Sequence, residues 1–264
     1  MKDILAEIVA EKYEVVAAAK RAVPLRELQE KAQADMGNFA MANRLKTKPW
    51  NLIAECKLQS PSKGNFGHRH TVAELAVMYE KAGAAMLSVH TDAHFLGKNA
   101  DIAMVRQLVD LPILRKEFII DAYQIYEART LGADAILLIA RLLTLPQLQE
   151  YLHIANSLGM DALVEVHDAE DMAKALATSA RFIGINNRNL KYFRTDIKNT
   201  LELLPLADRS RVLISESGIH TIEEAAMLYE AGVNGILVGE GLATAEDVTA
   251  KTRSFVNINK KSDR

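Results

Sequence analysis

Eight short apolar runs recur along the chain after residue 50, separated by longer segments with helical periodicity. Most of these runs are apolar throughout rather than alternating, which is typical of strands covered on both faces in a parallel sheet. Their starts lie about 20 to 33 residues apart, the length of one strand-and-helix unit. The predicted strands are Leu52–Lys57, Ala85–His90, Pro112–Phe118, Ala133–Ala140, Asp161–His167, Phe182–Asn187, Arg211–Ser217 and Gly235–Glu240.

Capping signals mark the ends of the intervening helices. Threonine followed three residues later by Glu or Gln is the capping-box pattern, and it occurs at Thr71, Thr144 and Thr221, with a looser version at Thr244. Aspartate is favoured at the same position, and Asp121 and Asp168 stand where helices are expected to begin. Helices that end in the left-handed conformation favour glycine, and such glycines precede predicted strands at Gly83, Gly132, Gly159 and Gly232.

Eight strand-and-helix units in about 215 residues predict an α/β fold of the closed (β/α)8 barrel type, which typically needs about 250 residues. A doubly wound open sheet is the alternative. It is disfavoured by the count of eight and because no Gly-x-Gly-x-x-Gly turn follows the first strand. We therefore predict one barrel domain over residues 1–264, in which residues 1–48 form an N-terminal helical extension.

The N-terminal extension has an apolar helical face, but a complete barrel does not require it. Leu5, Ile8 and Val16 fall near that face, and Pro24 begins a second short helix. Two placements are open: a plug under the bottom of the barrel, or a lid over its top. Periodicity alone favours the plug.

Composition limits the class of protein. Among 264 residues, 32 basic and 34 acidic side chains give a net charge of −2, too balanced for a nucleic-acid or membrane-surface protein. The longest apolar run, Ala135 to Ala140, is far shorter than the roughly 20 residues that span a bilayer. The first residues lack a signal-peptide core, and the only cysteine, Cys56, agrees with a reducing compartment. We expect a soluble cytoplasmic protein.

Catalytic groups of such a barrel lie at the C-terminal ends of its strands. Alternation along the first strand puts Glu55 and Lys57 on one face and Cys56 on the other, toward the helices. A surface charge could explain any one polar residue at a strand end. Several together indicate a shared polar mouth, and the later strands end with Lys116, Glu165, Asn186 and Arg188.

The last two strands carry a signal for an anion. Ser217-Gly218 follows the seventh strand, and Gly239-Glu240-Gly241 follows the eighth. These loops are the usual phosphate site of barrel enzymes, because glycine lets backbone N–H groups approach the anion. The segment Ser60–Gly64 adds hydroxyl and ammonium donors. The glycines could instead serve turns alone, but their position favours phosphate.

The histidines give a weaker signal. His68 and His70, like His90 and His94, have spacings seen among metal ligands, but no cysteine accompanies them and no predicted helix aligns the second pair. We expect no metal site. His167 shares a face with Glu165. It could line the mouth, or it could serve only as a cap or surface residue.

Longer motifs occur in order along the chain. They are Ile53-Ala54-Glu55-Cys56-Lys57, Ser60-Pro61-Ser62-Lys63-Gly64, Leu114-Arg115-Lys116-Glu117-Phe118-Ile119-Ile120-Asp121, Leu163-Val164-Glu165-Val166-His167, Gly184-Ile185-Asn186-Asn187-Arg188-Asn189-Leu190, Ser215-Glu216-Ser217-Gly218-Ile219 and Leu237-Val238-Gly239-Glu240. In these motifs the chain resembles the indole-3-glycerol phosphate synthase family, and the resemblance extends over nearly its whole length.

The resemblance implies a reaction and roles. A carboxyphenylamino-deoxyribulose 5-phosphate is closed to indole-3-glycerol phosphate with loss of CO2 and water, with no cofactor. Lys116 is implied as the acid, Lys57 as the group that holds the substrate carboxylate, and Glu165 in the proton transfers of dehydration. Glu55 and Asn186 are implied to orient these groups. The implied substrate-binding residues are Ser60, Phe95, Arg188, Ser217, Gly218, Gly239 and Glu240. The N-terminal segment is implied to cover the mouth.

Some positions depart from the family pattern. Leu58 stands where a basic residue usually follows the lysine, and His90 replaces an apolar residue. Glu117 stands where aspartate is common, and Lys98 where serine often occurs. Three other functions stay open: a phosphoribosylanthranilate isomerase-like barrel with a Cys/Asp pair, a Schiff-base aldolase using Lys116, and a phosphosugar-binding paralogue without activity. The sequence leaves the oligomeric state open.

Overall fold

The computed structural model describes residues 4–60, 64–65, 69–188 and 195–258. Eight parallel strands close into a barrel in the order β1-β8-β7-β6-β5-β4-β3-β2, so the predicted (β/α)8 barrel is confirmed. The strands are β1 (Asn51–Cys56), β2 (Met86–His90), β3 (Ile113–Lys116), β4 (Ala135–Ile139), β5 (Asp161–Val166), β6 (Phe182–Asn186), β7 (Val212–Glu216) and β8 (Gly235–Val238).

Helices surround the barrel and follow every strand. They are α1 (Ile4–Ala22), α2 (Leu25–Ala34), α3 (Ala40–Leu45), α4 (Val72–Ala82), α5 (Asn99–Arg106), α6 (Tyr123–Thr130), α7 (Leu145–Ser157), α8 (Ala169–Leu176), α9 (Lys198–Leu203), α10 (Ile222–Glu230), α11 (Glu240–Ala243) and α12 (Val248–Val256). In the described part of the chain, none of them combines the length and the apolar character needed to cross a membrane.

Strand alternation creates two apolar layers. The inward residues fill the barrel, including Ile53, Leu114 and Leu163, while the outward ones pack against the helices. Cys56 lies in the outer layer and is buried there. On each strand the inward position nearest the C-terminal end stands above the packed interior. The chemistry of the mouth is therefore set by one residue or two per strand.

The capping boxes at Thr71, Thr144 and Thr221 are confirmed, and Asp168 caps α8. Two start signals differ from prediction. Asp247, not Thr244, caps α12, because Thr244 ends α11 and its hydroxyl donates to Glu240 O at the start of that helix. Asp121 lies one residue before the cap of α6, and its carboxylate accepts the Tyr123 N–H.

Glycines end helices as predicted. Gly83, Gly132, Gly159 and Gly232 all have positive φ between 69° and 92°. A short antiparallel hairpin after β1, Gln59–Ser60 paired with Gly64–Asn65, was not predicted.

The N-terminal helices reach both ends of the barrel. Leu5 and Ile8 of α1 line the cavity at the mouth, while α2 packs along α6. At the opposite end, Leu45 of α3 joins the barrel-interior cluster, and Ala42 N donates to Asp161 Oδ2 at the start of β5. The choice between plug and lid was therefore incomplete, because different helices of one segment occupy the two positions.

Candidate active site

The mouth of the barrel is a layer of polar side chains over an apolar interior. Alternation aims Glu55, His90, Lys116, Glu165, Asn186 and Glu216 into one cavity at the C-terminal ends of the strands. Most of them are almost removed from water: Glu216 is 1% exposed, Glu165 4% and Glu55 5%. Charged side chains that are buried this close together need ion-pair or hydrogen-bond partners.

Lys116 is the centre of this layer. From the end of β3 its ammonium donates across the barrel to Glu216 Oε2 of β7 at 2.6 Å, and to Glu165 Oε2 of β5 at 3.1 Å. The other oxygen of Glu216, Oε1, accepts no hydrogen bond within the described residues. One lysine thus faces two carboxylates, one of which has an unsatisfied oxygen.

The three groups shift one another's pKa values. Burial disfavours the Lys116 ammonium, but Glu216 and Glu165 outweigh burial and raise its pKa above the ordinary value. Burial also opposes ionisation of Glu165, yet Lys116 and His167 hold its pKa below the usual range. For Glu216, burial and the charge of Glu165 prevail over Lys116 and raise the pKa to about 7. Lys116 is therefore protonated at neutral pH, while Glu216 titrates there.

A second cluster adjoins the first on β1. Glu55 Oε1 lies 2.8 Å from His90 Nε2, and Glu55 Oε2 lies 3.7 Å from Lys57 Nζ. Burial favours the neutral acid, but Lys57 and His90 outweigh it and lower the pKa of Glu55. Burial lowers the pKa of Lys57 despite the opposing charge of Glu55. The ion pair of Lys57 with Glu55 is therefore longer than a hydrogen bond, and the Lys57 side chain is buried.

His167 lies behind Glu165 and does not line the cavity. Its Nε2 is 3.2 Å from Glu165 Oε1 and its Nδ1 is 3.4 Å from Asp171 Oδ2. Burial lowers the pKa of His167, but the carboxylates of Asp171 and Glu165 prevail and raise it to about 9. Its positive charge therefore supports the ionised state of Glu165.

The ends of β7 and β8 form one side of the cavity. Ser217 and Gly218 have consecutive positive φ values of 66° and 72°, so a non-glycine residue is held in a strained turn at the rim. Gly239 and Gly241 frame the start of α11, whose first N–H groups have no acceptor within their own helix. Arg188 follows β6 and lines the same side. Backbone donors and a guanidinium suit a phosphate.

The opposite side is aromatic. Phe95 stacks on His90, with ring centroids 4.5 Å apart, and lies 6.3 Å from Phe118. Lys57 Nζ stands 5.3 Å from the Phe95 centroid, a cation–π contact. Leu5 and Ile8 of α1 complete this apolar side. The cavity therefore has an anion-binding end and an end fitted to an aromatic ring.

Two glycines give the carboxylates room. A Cβ on Gly184 of β6 would overlap Glu216 Oε1, and a Cβ on Gly239 would overlap Glu55 Oε2. Gly239 has a φ of −115°, which any residue can adopt, so space alone requires glycine there.

The structure brings nearly all predicted site residues to this cavity. The residues found there are Glu55, Lys57, Phe95, Lys116, Glu165, Asn186, Arg188, Ser217, Gly218, Gly239 and Glu240. The side chain of Ser60 and residues 61–63 lie outside the described residues. Asn186 Oδ1 accepts the Arg188 N–H at 2.9 Å, which connects these two neighbours.

Sequence reasoning missed Glu216 and Phe118 as cavity residues, and the contact of His90 with Glu55. The signal for Glu216 was present, since it shares its strand face with Ile214. The predicted strand continues to Ser217, whereas β7 ends at Glu216.

Of the two histidine pairs considered for a metal, His90 and His94 have different partners in the structure. His90 contacts Glu55, while His94 contacts Asp92 and Glu11. Within the described ranges, no group of three or more His, Cys, Asp or Glu side chains is arranged to hold a metal ion. His68 lies outside those ranges. The expectation of no metal site stays a prediction.

Comparison with solved structures supports the fold. A 3-hexulose-6-phosphate synthase from Salmonella typhimurium superposes with a TM-score of 0.64 at 16% identity, covering 80% of this chain and 99% of that chain. A thiamine phosphate pyrophosphorylase from Pyrococcus furiosus gives 0.60 at 17% identity, covering 83% and 98%. At such identities the likeness shows the fold alone.

Sequence comparison is more specific. Indole-3-glycerol phosphate synthase from Burkholderia cenocepacia (strain HI2424) is 45% identical over 250 residues, covering 93% of this chain and 96% of the relative. The enzyme of the same name from Legionella pneumophila (strain Paris) is 41% identical over 249 residues, covering 94% and 96%. The indole-3-glycerol phosphate synthase family model matches residues 5–255. The chain belongs to the indole-3-glycerol phosphate synthase family.

Proposed function

We propose that this chain converts 1-(2-carboxyphenylamino)-1-deoxy-D-ribulose 5-phosphate to indole-3-glycerol phosphate, CO2 and water. The observation that carries the proposal is the protonated Lys116, held by Glu165 and Glu216 between an anion-binding rim and an aromatic wall. This substrate has a phosphate at one end, a benzoate ring at the other, and its reacting ketone between them.

The substrate spans the cavity in the proposed complex. Its phosphate lies at the rim with Arg188, Gly218 and the start of α11, and Ser60, Ser217, Gly239 and Glu240 are the further residues assigned to substrate binding. Its ring lies against Phe95 and Phe118. Lys57 binds the ring carboxylate, since a buried ammonium gains most from an anion that can reach it. These contacts place the ring carbon beside the ketone, in reach of Lys116.

Lys116 acts as the general acid of ring closure. The ring carbon that bears the carboxylate attacks the ketone carbon, and the Lys116 proton moves to the ketone oxygen. The C–C bond to the carboxylate then breaks and its electron pair restores the aromatic ring, releasing CO2. Ring closure itself makes that carbon electron-deficient, so the proposed chemistry requires no cofactor. General acid catalysis of this kind typically contributes about 10² to 10⁴.

Dehydration completes the reaction. The new hydroxyl leaves as water after protonation, and Glu165 takes the proton from the adjacent carbon as the indole double bond forms. Its lowered pKa keeps Glu165 ionised and ready to accept that proton. Asn186 and Glu55 orient the groups. Overall the lost carboxylate charge is balanced by one proton taken from solvent.

The proposed function is tested by incubating the purified chain with the substrate and following indole-3-glycerol phosphate by its indole fluorescence. Formation of the product at a rate proportional to protein concentration is expected. Absence of product with a folded protein would overturn the proposal. We also infer a cytoplasmic location, because the single cysteine agrees with a reducing compartment.

The alternative activities fit the cavity less well. An isomerase-like mechanism needs a Cys/Asp pair at the cavity, but the only cysteine, Cys56, is buried in the layer beneath the helices. A Schiff base requires a neutral amine, whereas Glu216 and Glu165 keep Lys116 charged. Borohydride in the presence of substrate should therefore leave the protein mass unchanged.

Glu216→Gln is expected to remove a pH effect. As pH rises through about 7, Glu216 loses its proton. The new charge strengthens the hold on the Lys116 proton and repels an anionic substrate, so both effects lower kcat/KM. In the wild type we expect a fall of at least about fivefold between pH 6 and pH 8.

The measurement is kcat/KM against pH for wild type, Glu216→Gln and the exposed control Glu202→Gln. The profile should flatten only in Glu216→Gln. If kcat/KM of Glu216→Gln still fell near pH 7 as in the wild type, the ionisation would belong to another group.

Two deletions in the N-terminal segment should distinguish the role of α1 at the mouth from the role of α3 at the opposite end of the barrel. Removing residues 1–23 takes away α1 and the apolar cover at the mouth, so turnover should fall while the barrel stays folded. Removing residues 1–45 also takes Met41 and Leu45 out of the barrel interior. Two lost core side chains should cost roughly 4–10 kcal/mol and lower the melting temperature by about 10 °C or more.

Thermal unfolding and turnover are measured on both truncated proteins. Unchanged kcat/KM after removal of residues 1–23 would contradict the covering role of α1. Equal melting temperatures for the two truncations would contradict the contribution of α3 to the barrel interior.

A further inference from the structure

His90 joins the two halves of the site. It is the last residue of β2, is 5% exposed and lines the cavity. On one side its Nε2 meets Glu55 Oε1 at 2.8 Å, and on the other its ring stacks on Phe95 with an interplanar angle of 12°. A titratable ring thus stands at the junction of the carboxylate cluster and the aromatic wall, and the proposed reaction steps do not use it.

The charge state of His90 follows from its neighbours. Burial lowers its pKa in spite of the attraction of Glu55, and the ammonium groups of Lys57 and Lys116 act in the same direction as burial. The imidazole is therefore neutral at neutral pH. Because Glu55 is ionised and can only accept, the proton is assigned to Nε2, which donates to Glu55 Oε1.

This hydrogen bond restrains Glu55 relative to Lys57. Glu55 Oε2 stands 3.7 Å from Lys57 Nζ, well beyond the 2.7–2.9 Å typical of a charge-assisted hydrogen bond. Lys57 follows the end of β1, two residues after Glu55, and both side chains line the same cavity, so a small rotation of the carboxylate would close that gap. A donor fixed at Oε1 opposes the rotation and leaves the Lys57 ammonium free of a short ion pair with Glu55.

We propose that His90 is a positioning residue that keeps Lys57 available to the substrate carboxylate, by donating Nε2–H to Glu55 and holding Glu55 back from Lys57. The inference rests on the proposed function, since it assigns the anion that Lys57 receives. It concerns the carboxylate end of the substrate only. The product, which has lost that carboxylate, should not depend on His90 in the same way.

Two variants separate the donor from the ring. His90→Phe keeps an aromatic ring to stack on Phe95 and removes the donor. His90→Gln keeps an amide donor near the position of Nε2 and removes the ring. Melting temperatures establish that both fold, and His90→Leu, which also lacks a donor, replaces His90→Phe if that variant does not.

The measurements are kcat and KM for the substrate, and the dissociation constant of indole-3-glycerol phosphate by fluorescence titration. In His90→Phe we expect KM to rise about tenfold, the loss of one hydrogen bond to a charged group. The product dissociation constant should stay within about twofold of wild type. His90→Gln should restore KM to within about threefold.

Three results would overturn the inference: an unchanged KM in His90→Phe, an equal rise in KM and in the product dissociation constant, or a His90→Gln variant as impaired as His90→Phe. The wild type assayed in parallel distinguishes these from failure of the proposed function. If the wild type forms no product, the proposed function itself fails.

Discussion

Lys116→Ala is expected to lower kcat by at least about 10²-fold and to leave the binding of inorganic phosphate nearly unchanged. In the proposed complex the ammonium of Lys116 protonates the ketone, and its raised pKa keeps it protonated in the free enzyme. Lys116 contacts the end of β7 at Glu216, but it makes no hydrogen bond to the rim residues Ser217, Gly218 or Gly239 among those described. Loss of the acid should therefore affect the chemical step.

The control is Lys81→Ala, which removes an exposed lysine at the end of α4. Single-turnover kinetics and phosphate competition are measured on both variants, with melting temperature as the test of folding. Removal of Lys116 leaves Glu165 and Glu216 without their shared cation, so some loss of stability is expected. Near-native kcat in a folded Lys116→Ala variant would remove Lys116 from the acid role.

Gly239→Val should lower kcat/KM by about 10²-fold or more. The backbone at Gly239 accepts any residue, so the main obstacle is the side chain itself, which would collide with Glu55 Oε2. Displaced Glu55 moves toward Lys57, and the branched side chain also screens the N–H groups at the start of α11 from the phosphate. Both KM and kcat should therefore suffer.

Gly239→Ala gives a graded comparison, because its single methyl group reaches Glu55 but screens the rim less. We expect it to affect kcat more than the competition by inorganic phosphate. Gly218→Val is a poorer probe, since Gly218 has a φ of +72° and valine would be strained there whatever the space. A folded Gly239→Val variant with unchanged KM for the substrate would place the phosphate elsewhere.

The barrel could be predicted because its signals are local. Capping boxes at Thr71, Thr144 and Thr221 and glycines after helices recur in several of the units, and each depends on residues within one turn. The six-residue helix α3 escaped prediction, because its stability comes from burying Leu45 under the barrel rather than from its own sequence.

The members of the site could be found from alternation, but not their partners. Strand parity places Lys116 and Glu165 inward, whereas the pairing of Lys116 with Glu216 joins residues 100 apart on opposite sides of the barrel. No feature of β3 alone indicates that partner. The same holds for His90. Its strand is otherwise mostly apolar, and its partner Glu55 becomes evident only when the pairing of β2 with β1 is known.

The closure of the sheet has a consequence for how this protein is made. β1 pairs with β8, and the indole N–H of Trp50 donates to Phe255 O, a contact 205 residues apart in the chain. Nearly the whole chain must therefore be synthesised before β1 can pair with its second neighbouring strand. The hydrogen bond of Ala42 in α3 likewise cannot form until Asp161, 119 residues later, has been synthesised. Contacts of such sequence separation slow folding. Until β8 has been synthesised, the apolar faces of β1 and of α3 are exposed in the nascent chain, and these are the surfaces most prone to aggregation.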